Sequence, residues 1–105
     1  MGDLLQVESC RQDGVTVVVV RGEIDAASAP LLQSTCDQVA ADGHVVVDMS
    51  EVTFIDSSGL HVLLLLAMRL LDGDGVLQVR RPSSKVQRLF EVAGVTEVLL
   101  PEEAR

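Results

Sequence analysis

The sequence predicts a single α/β domain with a mixed, mainly parallel β-sheet and helices packed on one side. Apolar runs rich in β-branched residues alternate with amphipathic segments at helical spacing. Strands that alternate with helices are joined by right-handed crossovers, which place them in a parallel sheet. A length of 105 residues is enough for one hydrophobic core. We therefore expect residues 1–105 to form one domain with the element order ββαβαβαβ.

The first half of the chain predicts a hairpin followed by a helix. Residues 4–9 are expected to form the first strand, and Asp13-Gly14 is typical of a hairpin turn. The β-branched run at residues 15–20 then predicts a buried strand. A helix is expected over residues 26–41, with Pro30 in its first turn, where proline is tolerated.

The second half predicts two further helices and three strands. The apolar run at residues 45–49 is better suited to the middle of a sheet than to an edge. Residues 60–71 are apolar around much of a helix circumference, which predicts a heavily buried helix. The remaining elements are a short strand, a third helix and a last strand, at residues 76–79, 82–93 and 98–100.

Composition excludes several classes of partner. The formal net charge is −8, with 16 acidic against 8 basic residues, which argues against binding to nucleic acid or to an anionic membrane. Phe54 and Phe90 are the only aromatic residues, so a base-stacking surface is hard to assemble. No signal peptide is seen at the N-terminus, and the longest apolar run, residues 62–68, is too short for membrane insertion. These features favour a cytoplasmic protein.

The cysteine and histidine positions predict no metal site. Cys10 and Cys36 form no CxxC pair, and neither has a recognisable metal-ligand spacing to His44 or His61. Two isolated cysteines in such a chain are most simply reduced residues, at least one of them buried. A sensing role for either cysteine or for His61 is left open by the sequence.

The segment Asp56-Ser57-Ser58-Gly59 joins an apolar strand to the predicted helix at residues 60–71. The first turn of a helix has unpaired N–H groups and a positive dipole, so an anion is well accommodated there. Asp and Ser are also preferred N-cap residues, which makes capping the simplest role. A hydrolase site is disfavoured because no G-x-S-x-G elbow surrounds Ser57, although His61 follows one helical turn later.

Three segments resemble the STAS domain family (sulfate transporter and anti-sigma factor antagonist). The middle segment, residues 48–60, is similar to the specific signature D-x-S-x-V-x-[FY]-[IM]-D-S-[ST]-G-[LI]. Two weaker segments flank it. Residues 22–25 match G-E-[IL]-D, and residues 86–95 resemble V-x-R-[LI]-[FL]-x-x-[TS]-G-[LV]. Because the three occur in the right order and spacing over nearly the whole chain, chance similarity is improbable.

The resemblance implies a function for the segment around Ser57. Stand-alone STAS domains of this length are usually bacterial anti-anti-sigma factors, which bind an anti-sigma factor that is also a serine kinase and so release a sigma factor. By motif position, Ser57 is the residue that the kinase phosphorylates and a phosphatase restores, and the partner surface includes Asp25, Asp56, Ser58 and Gly59. The kinase would supply ATP and Mg²⁺, so this chain is expected to be a non-enzyme without a cofactor of its own.

His61 departs from the family pattern, in which a second glycine often follows the Gly-Leu pair. We include it in the predicted partner surface, where a larger titratable side chain would alter the choice of partner. The alternative is an ordinary exposed helix residue. The oligomeric state stays open, a weak homodimer included.

Two other functions are compatible with the resemblance. One is a STAS assembly subunit of a stress-sensing or membrane-lipid transport complex, in which Ser57 is a structural cap; a large exposed apolar patch over residues 60–71 would favour it. The other is a nucleotide-binding STAS module, although no Walker-type or G-x-G-x-x-G loop is present.

For the regulatory function, we expect a phosphate at the helix start to be tolerated by backbone N–H groups while it repels a partner.

Overall fold

The computed structural model describes residues 4–100, which form four strands and four helices. The strands are β1 (Gln6–Gln12), β2 (Val15–Ile24), β3 (His44–Ile55) and β4 (Val76–Arg80). The helices are α1 (Ala29–Val39), α2 (Ser57–Asp72), α3 (Ser84–Ala93) and α4 (Thr96–Leu99). The predicted α/β class is confirmed, and the first seven elements follow the predicted order.

The sheet is mixed, with strand order β1-β2-β3-β4. β1 pairs antiparallel with β2, whereas β2, β3 and β4 are parallel to one another. The hairpin turn consists of Asp13 and Gly14, whose φ angles of 53° and 81° are typical of the tight two-residue turn that Asp-Gly favours. The N-terminal hairpin therefore adds the one antiparallel strand of this sheet, as predicted.

The helices pack on one side of the sheet around a single core. Alternate residues of β2 and β3, such as Val18, Val20, Val45 and Val47, are fully buried on the face that the helices cover. Each helix contributes at least one fully buried side chain to the same core, namely Leu32, Leu63, Phe90 and Leu99. Burial of these aliphatic side chains is the main term holding the layers together.

The prediction of a last strand at residues 98–100 is wrong, because this segment is helical. Gly94 ends α3 in the left-handed conformation, with φ of 73°. The chain then turns directly into α4, where the N–H of Leu99 donates to the carbonyl of Val95 over 3.0 Å. A three-residue apolar run cannot be assigned to strand or helix by periodicity alone.

Several elements begin or end at other residues than predicted, and three of these differences shape the site. β3 extends to Ile55 because it stays paired with β2 up to Ile24. α2 begins three residues early, at Ser57, so the predicted corner lies in the first turn of the helix. α1 begins three residues late, at Ala29, because the residues before it form a turn.

Candidate functional site

The carboxyl ends of β2 and β3 bring two aspartate-containing turns to the same edge of the sheet. Asp25 follows the last residue of β2, and Asp56 follows the last residue of β3. The backbone N–H of Asp56 donates to the carbonyl of Ile24 over 3.1 Å, which ties the two turns together. Because α1 and α2 both start from this edge, the structure places the Asp25 segment beside the Ser57 corner.

Asp56 is the N-cap residue of α2. Its Oδ1 accepts hydrogen bonds from the backbone N–H of Ser58 over 2.8 Å and of Gly59 over 3.4 Å. A carboxylate in this position satisfies donors that have no partner within the helix and complements the positive end of the dipole. Of the Asp and Ser residues at this corner, the cap is therefore Asp56 and not Ser58.

Asp25 is held in a turn that leads into α1. Its Oδ1 accepts from the backbone N–H of Ala27 over 3.0 Å and of Ser28 over 2.9 Å. The Ser28 hydroxyl lies 3.1 Å from the same oxygen and 2.9 Å from the carbonyl oxygen of Glu23. The N–H and the hydroxyl of Ser28 lower the pKa of the Asp25 carboxyl below its usual value. Asp25 is therefore ionised at neutral pH and fixes the shape of this turn.

A surface groove of about 640 Å³ lies between the starts of α1 and α2. Ser57 and His61 are exposed on α2, and Ser58 is half-buried beside them. The groove is lined by four residues of α2 and four from the α1 side, namely Ser57, Ser58, His61, Val62, Ala26, Ala29, Pro30 and Gln33. His61 is the one ionisable side chain in this lining, so the structure brings three of the predicted site residues together in one groove.

Gly59 is buried beneath this surface, unlike the other predicted site residues of α2. A Cβ at position 59 would lie 2.9 Å from Cγ1 of Ile55 and would also overlap the Ile24 side chain. Glycine therefore lets α2 approach the ends of β2 and β3 closely. Its burial supports a packing role for Gly59 instead of the partner contact that the family resemblance implies.

Sequence reasoning missed the α1 wall of the groove. Ala26, Pro30 and Gln33 line it, although no motif in the sequence predicted a functional role for them. The available signal was position: Pro30 lies at the N-terminal end of α1, directly after the G-E-I-D segment. Residues that follow a functional motif at the start of a helix face the same edge of the sheet as the motif itself.

The outer surface of α2 carries exposed apolar side chains, which differs from the heavy burial predicted for this helix. Leu65, Met68 and Leu71 are 37%, 62% and 69% exposed, respectively. The inner face is buried as expected, through residues such as Leu63 and Leu66. A helix that is apolar around most of its circumference can bury only the side that meets the sheet when it lies on the outside of a two-layer domain.

The described part of the chain offers no obvious metal or disulfide site. Residues 4–100 contain no group of three or more His, Cys, Asp or Glu side chains that could hold a metal ion. Cys10 is exposed and Cys36 is buried, and both are free thiols. Burial, together with the nearby Asp37 carboxylate, raises the pKa of the Cys36 thiol to about 12. Cys36 therefore stays protonated and inert at neutral pH.

No helix within residues 4–100 has both the length and the apolar character needed to cross a membrane.

Comparison with known proteins gives consistent matches over most of the chain. A family model described as Mlab, STAS domain, matches residues 8–101. The anti-sigma-B factor antagonist of Staphylococcus aureus is 29% identical over 97 residues, covering 90% of this chain and 90% of that protein. The crystal structure of an anti-sigma factor antagonist from Mycobacterium paratuberculosis is 32% identical, with a TM-score of 0.76, and the match covers 92% of this chain and 86% of that chain.

The same fold has been solved in a phosphorylated protein. The Bacillus cell fate determinant SpoIIAA in its phosphorylated form matches with a TM-score of 0.70 and 20% identity, over 95% of each chain. At this identity the likeness shows a shared fold.

Proposed function

The chain belongs to the STAS-domain family of anti-sigma factor antagonists, and on this premise we propose that it binds an anti-sigma factor that is also a serine kinase. Binding would release the sigma factor that the anti-sigma factor holds. Phosphorylation of Ser57 by the bound kinase would end the interaction, and a phosphatase would restore it. In this role the protein is no enzyme, acts in the cytoplasm, and relies on ATP and Mg²⁺ held by the kinase.

The observation that carries the proposal is the exposed position of Ser57 at the rim of the groove between α1 and α2. A kinase must reach the hydroxyl of its substrate, and Ser57 is accessible whereas Gly59 is buried. Support also comes from the names of the relatives, two of which are anti-sigma factor antagonists similar over about nine-tenths of this chain.

A phosphate on Ser57 would act as a local electrostatic switch. It adds about −1.5 to −2 charges at neutral pH beside the Asp56 carboxylate, at the mouth of the groove. A partner seated there would have to bury this charge or move away. A 100-fold loss of affinity corresponds to only about 2.7 kcal/mol, which one unpaired charge in an interface can supply.

The switch needs no refolding of the domain. Asp56 already holds the first turn of α2 through the N–H groups of Ser58 and Gly59, so these donors are not free to receive the phosphate. This differs from the expectation that the backbone at the helix start would accommodate it. The phosphate would instead lie beside the Asp56 carboxylate, which caps α2. The cap keeps the fold intact, and the added charge stays at the surface.

The first test is to map the phosphorylated residue. The protein is incubated with ATP, Mg²⁺ and purified anti-sigma kinases from its source organism, and phosphate is located by mass spectrometry. We expect stoichiometric phosphate on Ser57, none in Ser57→Ala, and unchanged labelling in the matched variant Ser58→Ala. Labelling of Ser58 in the Ser57→Ala protein, or no labelling by any kinase, would contradict the proposal.

A second candidate function, a subunit of a stable protein assembly, is favoured by the exposed apolar residues of α2. Leu65, Met68 and Leu71 lie on the outer side of the helix, where a constitutive partner could cover them. Under this alternative, a Met68→Glu substitution abolishes the complex and Ser57→Ala leaves it intact. Under the first proposal, phosphorylation at Ser57 controls binding.

Saturable binding of ATP or GTP in a direct titration would instead favour a nucleotide-binding module.

A further inference from the structure

Ser57 and His61 lie one turn apart on the same side of α2. Residues four positions apart on a helix are neighbours on its surface, with Cβ atoms about 5–6 Å from each other. Both side chains are exposed, and both line the groove between α1 and α2. A group attached to Ser57 can therefore reach the His61 ring without any movement of the backbone.

Three backbone donors beside Ser57, the N–H groups of residues 58–60, are already engaged. Asp56 accepts from the N–H groups of Ser58 and Gly59, and its carbonyl oxygen accepts from the N–H of Leu60 over 3.0 Å. A phosphate on Ser57 would have to displace a carboxylate to use the first two. Its interaction with the helix start is therefore less favourable than that of an anion at an uncapped helix.

The other charged groups near the groove do not offer a free cation. Asp25 and Asp56, which follow β2 and β3, both accept hydrogen bonds from backbone N–H groups. Further along α2, Arg69 donates to Asp37 of α1 over 2.6 Å, so its charge is matched by an acid. Among the residues that line the groove, His61 is the one that can become positively charged.

We propose that His61 is the phosphate-binding residue of phosphorylated Ser57. In its protonated form the ring donates an N–H to the phosphoryl oxygens and draws the group along α2 over the groove. The phosphate then covers the groove as well as the corner at Asp56. This inference rests on the proposed function, because it supposes that Ser57 carries phosphate, and it adds a residue that holds the modified side chain in place.

The contact has a measurable effect on the phosphate itself. The second ionisation of a phosphoserine has a pKa of about 6, and a neighbouring imidazolium favours the doubly charged form. Phosphoserine can be installed at position 57 during translation, which makes the test independent of any kinase. The pH titration of the ³¹P resonance is then compared between the protein with His61 and the variants His61→Gln and His61→Lys.

We expect the titration midpoint with His61 to lie at least about 0.3 pH unit below that of His61→Gln, the size of an exposed charge pair on a helix. His61→Lys should restore the low midpoint, because a lysine at this position is also cationic. His44 provides an internal control, since it begins β3 on another element. Installing phosphate should shift the ring resonances of His61 and leave those of His44 in place.

Equal midpoints for the His61 and His61→Gln proteins, or equal shifts for both histidines, would overturn the inference. The result is separable from the test of the proposed function. If no kinase phosphorylates Ser57, the regulatory proposal fails whatever the ³¹P titration shows. If a kinase phosphorylates Ser57 and the midpoints are equal, the regulatory proposal stands and the role of His61 fails.

Discussion

Gly59 packs against Ile24 so closely that a side chain at position 59 has no room. The missing Cβ would overlap the Ile24 side chain and would lie 2.9 Å from Cγ1 of Ile55. Ile24 ends β2 and Ile55 ends β3, so this contact sets how closely α2 begins against the sheet. The close packing of Gly59 against the sheet thereby sets how far Ser57 and His61, which line the groove, lie from the sheet.

Gly59→Ala should therefore destabilise the domain by about 1–3 kcal/mol, the usual cost of overpacking a buried site. Gly73→Ala is the matched control, because Gly73 has an ordinary φ of −97° and its nearest neighbour would lie 3.7 Å from the new Cβ. Urea unfolding monitored by far-UV circular dichroism measures both. Equal stabilities of the two variants would contradict the packing role of Gly59.

The cap of α2 gives a second prediction. Asp56→Ala removes the acceptor of two backbone N–H groups and should cost about 0.5–2 kcal/mol of stability, whereas Asp56→Asn should retain most of it. Ser58→Ala should change stability less, because the Ser58 side chain is not the cap. Thermal unfolding of the three variants checks the order. A larger loss for Ser58→Ala than for Asp56→Ala would assign the cap to Ser58.

Asp48 predicts a pH dependence of stability. Burial raises the pKa of its carboxyl, but hydrogen bonds from Ser50 and the pairing with Arg81 outweigh burial, so the pKa lies below its usual value. A carboxyl with a lowered pKa in the folded state stabilises the fold above its unfolded pKa of about 3.9, and this contribution is lost as the pH falls.

Asp48→Asn should thus be less stable than the unmodified protein at pH 7, and the difference should shrink toward pH 2.5. Asp72→Asn, at the exposed end of α2, removes the same charge and serves as the control. Urea unfolding at both pH values gives the comparison. A difference for Asp48→Asn that persists unchanged at pH 2.5 would show that its carboxylate contributes nothing through ionisation.

The two cysteines should differ sharply in reactivity. Cys10 is exposed, whereas Cys36 is 1% exposed and burial raises the pKa of its thiol to about 12. Because the thiolate is the reactive form, a disulfide reagent such as Ellman's reagent should modify one thiol per native chain and two after denaturation. In Cys10→Ser the native reaction should disappear. Rapid modification of Cys36 in the folded protein would contradict its burial.

Much of the fold could be predicted from the sequence because most of its strands, turns and helices have a clear local sequence pattern. The β-branched run at residues 15–20, the Asp13-Gly14 turn and the periodic apolar residues of the third helix each depend on short-range chemistry. The prediction of a strand for the last element was wrong because the apolar run at Val98 is too short for periodicity to distinguish a strand from a helix. Its helical form depends on the turn at Gly94 and on burial of Leu99.

The site was predicted less completely, since it combines segments that are distant in the sequence. The motif located Ser57, but the capping role of Asp56 and the burial of Gly59 depend on where β2 ends relative to β3. The wall formed by Pro30 and Gln33 depends on how α1 lies beside α2. Such relations are set by packing, which a single sequence does not display.

Affinity for the anti-sigma kinase, with and without phosphate on Ser57, tests the central claim most directly. Isothermal titration calorimetry would compare the unmodified protein with protein carrying phosphoserine at position 57, against the purified kinases of the source organism. We predict tight binding of the unmodified protein to one kinase and at least a roughly 100-fold weaker interaction of the phosphorylated form, a difference of about 2.7 kcal/mol. Equal affinities of the two forms for every kinase would contradict the account.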